Sequence, residues 1–502
     1  MYPIDFFFRA AERFPERIAL DGPQGQVSYA QLAQQTRTLA AALQHLDPAP
    51  QTRVAICAAN SAQHILALLA VLASGKVWVP LNYRSTEREV GRILQATEPS
   101  IVIADALGET LVAQAGAHRV ALDGAASGLA LEDLLARHAG QPPQRAALDG
   151  EAIQAIKFTG GTTGLPKGVM QPYRAWTAGI MNQIVTWGLT EADRYVMAAP
   201  VTHGTGTYLL PVLAQGGCHL LLDGAGPQAV TAAFRERGGT LSFMPPTLIY
   251  MIMAQDGVSR ADFPQLRNLI YGGAPMPVEK IEQVRAFFGP VLGTTYGQTE
   301  APQIVTALPP AELEVPANRG SVGRLTWLSE LAILGPDGTA LPRGEIGEVA
   351  VRGDLVMRGY WRLPEKTAET LVDGWLRTGD TGLMDARGYL FLKDRLRDVI
   401  ITGGFNVYPK EVETEIDALP GVIESAVVGC PHPDFGEGVT AVVVLKQGAT
   451  ADEKSVIAAL EGKLAKFKLP KRVLFVDDLP RNTMGKVQKN VLREQNAKLY
   501  AG

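Results

Sequence analysis

In the first third of the chain, short apolar runs alternate with stretches where apolar residues recur every three or four positions. "RVAICAAN" has the length and composition of a buried strand, and "SAQHILALLAVLAS" reads as a helix with Ser61 as its cap. "VWVPL" is again strand-like. "STEREVGRILQATE" sets Val90, Ile93 and Leu94 on one helical face, and "SIVIAD" follows as a strand. This β-α-β-α-β rhythm predicts a parallel sheet covered by helices. It returns in "RYVMAAP", "CHLLLDG", "TLSFMPP" and "LRNLIYGG", where apolar runs end in Gly or Pro turns.

After about residue 325 the pattern changes. "LAILGPDGTALPRGEIGEVAVRGD" reads as two strands around a Pro-Asp-Gly turn, as in a small β-rich subdomain. The charged stretch "KDRLRDV", Lys393 to Val399, reads as a linker. Beyond it come a helix in "PKEVETEIDALP", strands in "SAVVGC" and "TAVVVLK", a helix in "TADEKSVIAALEGKLAKF", and the strand "RVLFV". In that second helix Thr450 and Glu453 stand at capping-box spacing, and Val456, Ile457, Leu460, Leu464 and Phe467 form one stripe. The expected fold is therefore α/β: a large N-terminal domain of stacked α/β sheets with a β-rich subdomain, residues 1–394, and a small α+β C-terminal domain, residues 395–502.

Length supports that division, because 502 residues exceed what one core serves, roughly 250–300. With 46% hydrophobic and 20% charged residues the composition argues against disorder. A formal net charge of −4 gives no electrostatic reason to expect nucleic acid as a partner. Cys57, Cys218 and Cys430 are far apart and lack metal spacing, so buried thiols in a reducing compartment are expected. "MYPIDFFFRAAERF" has an acid at Asp5 and no basic n-region, which is not a signal-peptide pattern. No apolar run is long enough to span a membrane, and the cytoplasm is the expected location.

The chemistry concentrates in "FTGGTTGLPKG", Phe158 to Gly168. It is not a Walker loop, because Lys167 follows Pro166 and precedes Gly168. The dinucleotide fingerprint fails too, since the glycines stand at 160, 161, 164 and 168. A flexible turn would not need three threonines around one lysine. The composition suits a phosphate cradle: glycines let backbone N–H groups approach anionic oxygens, hydroxyls add donors, and Lys167 adds a charge.

Together with "YGGAP", "TTYGQTE", "GWLRTGD", "KDRLRDVIITGGFNVYP" and "PRNTMGKVQK", this loop resembles the adenylate-forming acyl-CoA synthetase superfamily. The resemblance runs from "VSYAQL" to Lys486, nearly the whole chain. It implies that Thr159, Gly160, Gly161, Thr162, Thr163, Gly164 and Lys167 hold the phosphates of ATP. Gly160 departs from the serine usual there, which removes one hydroxyl donor. Gly273, Ala274 and Pro275 would line the adenine, Tyr296 with Gly297 would offer it a flat face, and Thr299 would meet the α-phosphate. Glu300 would bind Mg²⁺, which takes one or two carboxylates alongside substrate phosphates. Asp380 would contact the ribose, Arg395 the ribose or a phosphate, Arg397 would be the hinge, and Gly403-Gly404 would flank the coenzyme A thiol path. Lys486 would serve adenylation, on a C-terminal domain that moves between half-reactions.

The resemblance thus implies ATP, Mg²⁺, coenzyme A and a small carboxylic acid as reactants, and is compatible with a homodimer. His203 falls where carboxylate–CoA ligases have a histidine near the carboxylate. Members of the resembled superfamily that activate amino acids carry an aspartate in this segment; here no acid lies between Asp193 and Asp223, so the resemblance implies a substrate other than an amino acid. Phe243, Met244, Leu248 and Met251 are candidate apolar lining, and an apolar aliphatic or aromatic monocarboxylate is expected. Three other readings share these motifs: a loader of a separate carrier protein, an adenylate-forming oxidase, and a non-catalytic nucleotide-binding relative.

Overall fold

A computed structural model describes residues 2–115, 118–123, 127–159, 167–224, 226–395, 398–402, 405–481 and 485–500. Gly160, Gly161, Thr162, Thr163, Gly164, Arg397, Gly403 and Gly404 lie outside the described residues, as does the side chain of Arg395. The chain forms two compact units. One takes most of the chain up to Leu331 together with Val351–Leu376, and the other takes Ala332–Ala350 and the chain from Arg377 onward.

The first unit holds two large sheets. In one, Arg53–Cys57 is central, parallel to Val77–Leu81 on one side and Ile101–Ala104 on the other. Val77–Leu81 in turn pairs in parallel with Ile153–Thr159, Trp78 opposite Ala155. The helices between these strands follow from their sequences. Ser61 Oγ accepts from the His64 N–H and starts Ala62–Ala73, whose described side chains are buried almost all round. Thr86 and Glu89 form a capping box for Glu87–Thr97, which turns Val90, Ile93 and Leu94 into the core. In the second sheet, Arg194–Val196, Leu241–Met244, Asn268–Tyr271 and Leu292–Tyr296 run in parallel. The alternating rhythm of the sequence is thus realised twice. Ligands of such sheets bind beyond the carboxyl ends of the strands, and the loops at Gly272–Pro275 and Gly297–Glu300 sit there.

In the second unit, Val422–His432 and Gly436–Leu445 pair antiparallel, Val427 opposite Ala441, and Arg472–Phe475 joins Gly436–Leu445 in parallel. Helix Pro409–Asp417 and the following helix close one face around Val412, Ile416, Val456 and Leu460. That following helix is shorter than its stripe suggested, Glu453–Leu460, and Asp452 with Ser455 makes its capping box instead of Thr450 with Glu453. Glu461 leaves the helix in extended conformation and Gly462 follows with left-handed backbone, φ +79°, yet Leu464 and Phe467 still pack on the same core. The charged stretch expected as a linker begins inside a strand, Leu390–Arg395, which pairs with Trp375–Met384.

Candidate active site

Strands Ile153–Thr159 and Lys167–Pro172 form a hairpin in which Thr159 stands opposite Lys167, so both ends of the glycine loop are pinned in register. On the far edge of Lys167–Pro172 lies the two-residue strand Gly359–Tyr360, Tyr360 opposite Val169. This pairing places the buried Tyr360 ring beneath the lysine, with Lys167 Nζ 4.3 Å from the ring centroid. Tyr360 Oη donates to Glu300 Oε1 at 2.9 Å. Burial and the neighbouring carboxylate both push the Tyr360 phenol above its ordinary range, so it stays a donor. One aromatic residue therefore contacts the glycine-loop lysine and a candidate metal carboxylate at once.

The segment carrying Thr299 and Glu300 is fixed through its backbone. The Thr299 carbonyl accepts from Gln171 Nε2 at 2.9 Å, and the Glu300 carbonyl accepts from the Met357 N–H at 2.7 Å. Trp176 Nε1 donates to Gln171 Oε1 at 3.2 Å and holds that amide in place. Tyr296 ends its strand with its side chain buried, and its carbonyl accepts from the Val305 N–H. A Cβ on Gly297 would lie 2.5 Å from the Gln303 carbonyl carbon, so the turn into Thr299 closes only over glycine. Gly273, Ala274 and Pro275 are exposed beyond the end of Asn268–Tyr271.

His203 is half-buried at the start of the short 3₁₀ turn Gly204–Tyr208. Its Nε2 lies 3.4 Å from Asn82 Nδ2, and its Nδ1 lies 3.3 Å from Thr202 Oγ1. Burial, with smaller contributions from Lys157 and Arg84, holds the ring below its ordinary pKa, so it is a neutral hydrogen-bonding group at neutral pH. The loop before it is locked by Asn60, whose amide donates to the Ala199 carbonyl and accepts from the Val201 N–H, both at 2.9 Å.

In the second unit, Asp380 is buried on Trp375–Met384 with Arg395 opposite it in the ladder. Lys486 is exposed, one residue after Gly485, whose carbonyl accepts from Arg481 Nη1 at 2.9 Å. The segment around the expected hinge is anchored on both sides. Asp394 Oδ2 accepts from the Lys410 N–H at 2.8 Å, and Asp398 pairs with Arg493 at 2.6 Å. Lys489 is half-buried against Glu413 at 2.7 Å; desolvation alone would depress it, but Glu413, Asp394 and Asp398 raise it.

The first unit thus brings Thr159, Lys167, Thr299 and Glu300 into one connected set, with His203 on a separately braced loop. Asp380 and Lys486 belong to the second unit. Tyr360, Gln171 and Asn60 were not foreseen, since each acts through pairing partners distant in sequence. Among the described residues no group of three His, Cys, Asp or Glu could hold a metal by itself. The half-buried Glu300 carboxylate, with one oxygen fixed by Tyr360, suits an ion whose other ligands are phosphate oxygens.

Residues 7–361 match the model of the AMP-binding enzyme family, and residues 411–486 match the AMP-binding enzyme C-terminal domain. The chain is 36% identical to a feruloyl-CoA synthase of an Amycolatopsis species over 97% of both chains. It is 35% identical to an indoleacetate–CoA ligase of Aromatoleum aromaticum, over 96% of this chain and 95% of that one. The ATP-bound crystal structure of MatB from Rhodopseudomonas palustris superposes with a TM-score of 0.90 at 36% identity, covering both chains in full. Among the described residues no helix is long and apolar enough to cross a membrane.

Proposed function

Given that the chain belongs to the AMP-binding enzyme family and is an AMP-forming acid–thiol ligase, we propose that it joins a carboxylic acid to coenzyme A in two half-reactions through an acyl-adenylate. A carboxylate is a poor acyl donor because its leaving group would be oxide. Attack on the α-phosphorus of ATP makes that oxygen part of AMP and expels pyrophosphate. Two anions must meet, so counter-charge in place before the reaction is what this site has to supply.

The observation that carries this reading is the linked trio Lys167, Tyr360 and Glu300 at the mouth of the glycine-loop hairpin. In it, Lys167 faces the departing pyrophosphate and Thr299 donates to the α-phosphate. Glu300 would hold Mg²⁺ together with the substrate's phosphates, where the ion supplies counter-charge to the phosphoryl oxygens. Neutral His203 donates to the acid's carboxylate without adding a competing charge. The adenine-side residues are Gly273, Ala274, Pro275 and Tyr296 with Gly297, and Asp380 and Arg395 take the ribose.

The division of labour falls between residues 394 and 395. Lys486 serves the first half-reaction, and Arg397 is the pivot that releases it before the thiol passes Gly403 and Gly404. The acid has a largely apolar body, since the buried Phe243 ring lies against Gly204, next to His203, and against Gly272. A pyrophosphate-release screen over carboxylic acids, with and without coenzyme A, tests the proposal. Acid-dependent release with a coenzyme A thioester as product is expected. Release that ignores coenzyme A would redirect the reading to a carrier-protein acceptor, and no release with any acid would refute it.

A further inference from the structure

Lys157 lies on Ile153–Thr159, two residues before the glycine loop, and is only 9% exposed. Its Nζ lies 4.9 Å from the Trp78 ring centroid and 5.7 Å from that of Trp176. Among the described residues it has no carboxylate partner and no hydrogen-bond acceptor. Trp78 is fully buried, and its indole Nε1 is likewise a donor without an acceptor. The Trp78 donor is withdrawn from water without an acceptor, and the Lys157 ammonium beside it has none among the described residues. Buried polar groups are normally matched by protein, water, an ion or a ligand.

The surroundings belong to the acyl side of the site. The charge of Lys157 acts on His203, and Trp176 donates to the same Gln171 that holds the Thr299 carbonyl. The head of Lys157 is nevertheless set back from the reacting end. Trp78, over which it lies, is in register with Ala155, four residues before Thr159. At about 3.3 Å per residue the backbones of Lys157 and Trp78 stand roughly 7 and 13 Å back from the strand end where the phosphates are expected.

We propose that Lys157 is a specificity-determining residue that reads a second anionic group at the far end of the acid, so that the preferred substrates are acids with an apolar body and a distal carboxylate or comparable anion. This rests on the ligase reading above, and it replaces the expectation of a plain monocarboxylate. Burial with no compensating charge pushes the Lys157 ammonium down to about 8, and pairing with a substrate anion would restore that charge. Tryptophan rings 4.9 and 5.7 Å from the ammonium suit an elongated apolar body.

The test pairs monocarboxylic acids, straight-chain and aryl, with their ω-carboxy or para-carboxy counterparts, and reads kcat/KM from pyrophosphate release. The wild-type enzyme should favour the dicarboxylic member by at least about 100-fold, as sites holding unmatched polar groups do. Lys157→Met should abolish that preference while monocarboxylate turnover stays within a few-fold of wild type. Indifference or a monocarboxylate preference in the wild-type enzyme would overturn the proposal, and that comparison needs no variant. Equal loss on all acids in Lys157→Met would overturn it too, because the lysine would then serve the reacting carboxylate. If no acid releases pyrophosphate, the ligase reading itself falls and takes this one with it.

Discussion

Tyr360 donates its hydroxyl to Glu300 Oε1 at 2.9 Å while its ring carries Lys167 Nζ at 4.3 Å. The two contacts use different parts of one side chain, so they can be separated. Tyr360→Phe removes only the hydroxyl, which leaves Glu300 less firmly oriented and the lysine in place. A hydrogen bond to a charged group contributes about 1.5–3 kcal/mol at most, and less at a half-exposed carboxylate. We therefore expect a roughly 3–10-fold rise in KM for MgATP and little change in melting temperature. Tyr360→Ala also loses the ring beneath Lys167 and should be worse than Tyr360→Phe. ATP–pyrophosphate exchange titrated with MgATP measures this, and equal effects of the two variants would contradict it.

Asn60 bridges the Ala199 carbonyl and the Val201 N–H, and so holds the loop that delivers His203. Asn60→Ala deletes both bonds, each worth about 1 kcal/mol net. The loop should loosen without unfolding the sheet, and the acid should feel it more than the nucleotide does. The expected signature is a several-fold rise in KM for the acid with KM for ATP nearly unchanged. A parallel rise in both constants would show that Asn60 acts on the fold as a whole.

The parallel strands were readable because they are short apolar runs, several of them ending in Gly or Pro, that alternate with periodic helical stretches, and the helix cap Ser61 because its hydroxyl precedes one of those stretches. The shortened helix at Glu453–Leu460 was misread for a local reason. Apolar spacing continues through Leu464 and Phe467, but Gly462 turns the chain there and Asp452 competes for the cap. The chemical motifs were legible as strings around Lys167 and Glu300. Tyr360 was not, because its role comes from a two-residue edge strand pairing with Val169, nearly two hundred positions earlier. Lys157 was hidden in the same way: strand alternation turns it inward, but only the fold brings Trp78 and Trp176 against it.

Asp417 supplies a pH dependence of stability. Burial raises its carboxyl to about 6 in the folded unit, against an ordinary value of 3.8, despite a hydrogen bond from Ser425 Oγ at 2.7 Å. Between those values the folded state holds the proton more tightly than the unfolded state does. Stability therefore falls as pH rises from about 4 to 6, and the cost levels off above that at about 2–3 kcal/mol. Asp417→Asn keeps an acceptor for Ser425 and removes the charge. It should be more stable than wild type at pH 7–8, with the difference vanishing below about pH 4. Urea unfolding at several pH values checks this; a constant difference across the range would contradict the assignment.

Lys486 separates the half-reactions. The residue is exposed, and Arg481 braces the residue before it, so the variant Lys486→Ala should leave the second unit folded. In the first half-reaction two anions meet, and removing one positioned counter-charge typically costs about 10²–10³ in rate. In the second, a thiol attacks the neutral carbonyl of an acyl-adenylate, and no such counter-charge is needed. Lys486→Ala should therefore lose ATP–pyrophosphate exchange by that factor or more while converting supplied acyl-AMP and coenzyme A to thioester within a few-fold of wild type. Lys486→Arg keeps the charge but moves it onto a longer, planar group, so partial recovery of exchange is expected. Equal loss of both half-reactions would mean that Lys486 supports a step common to them, and the division of labour at residue 395 would have to be redrawn.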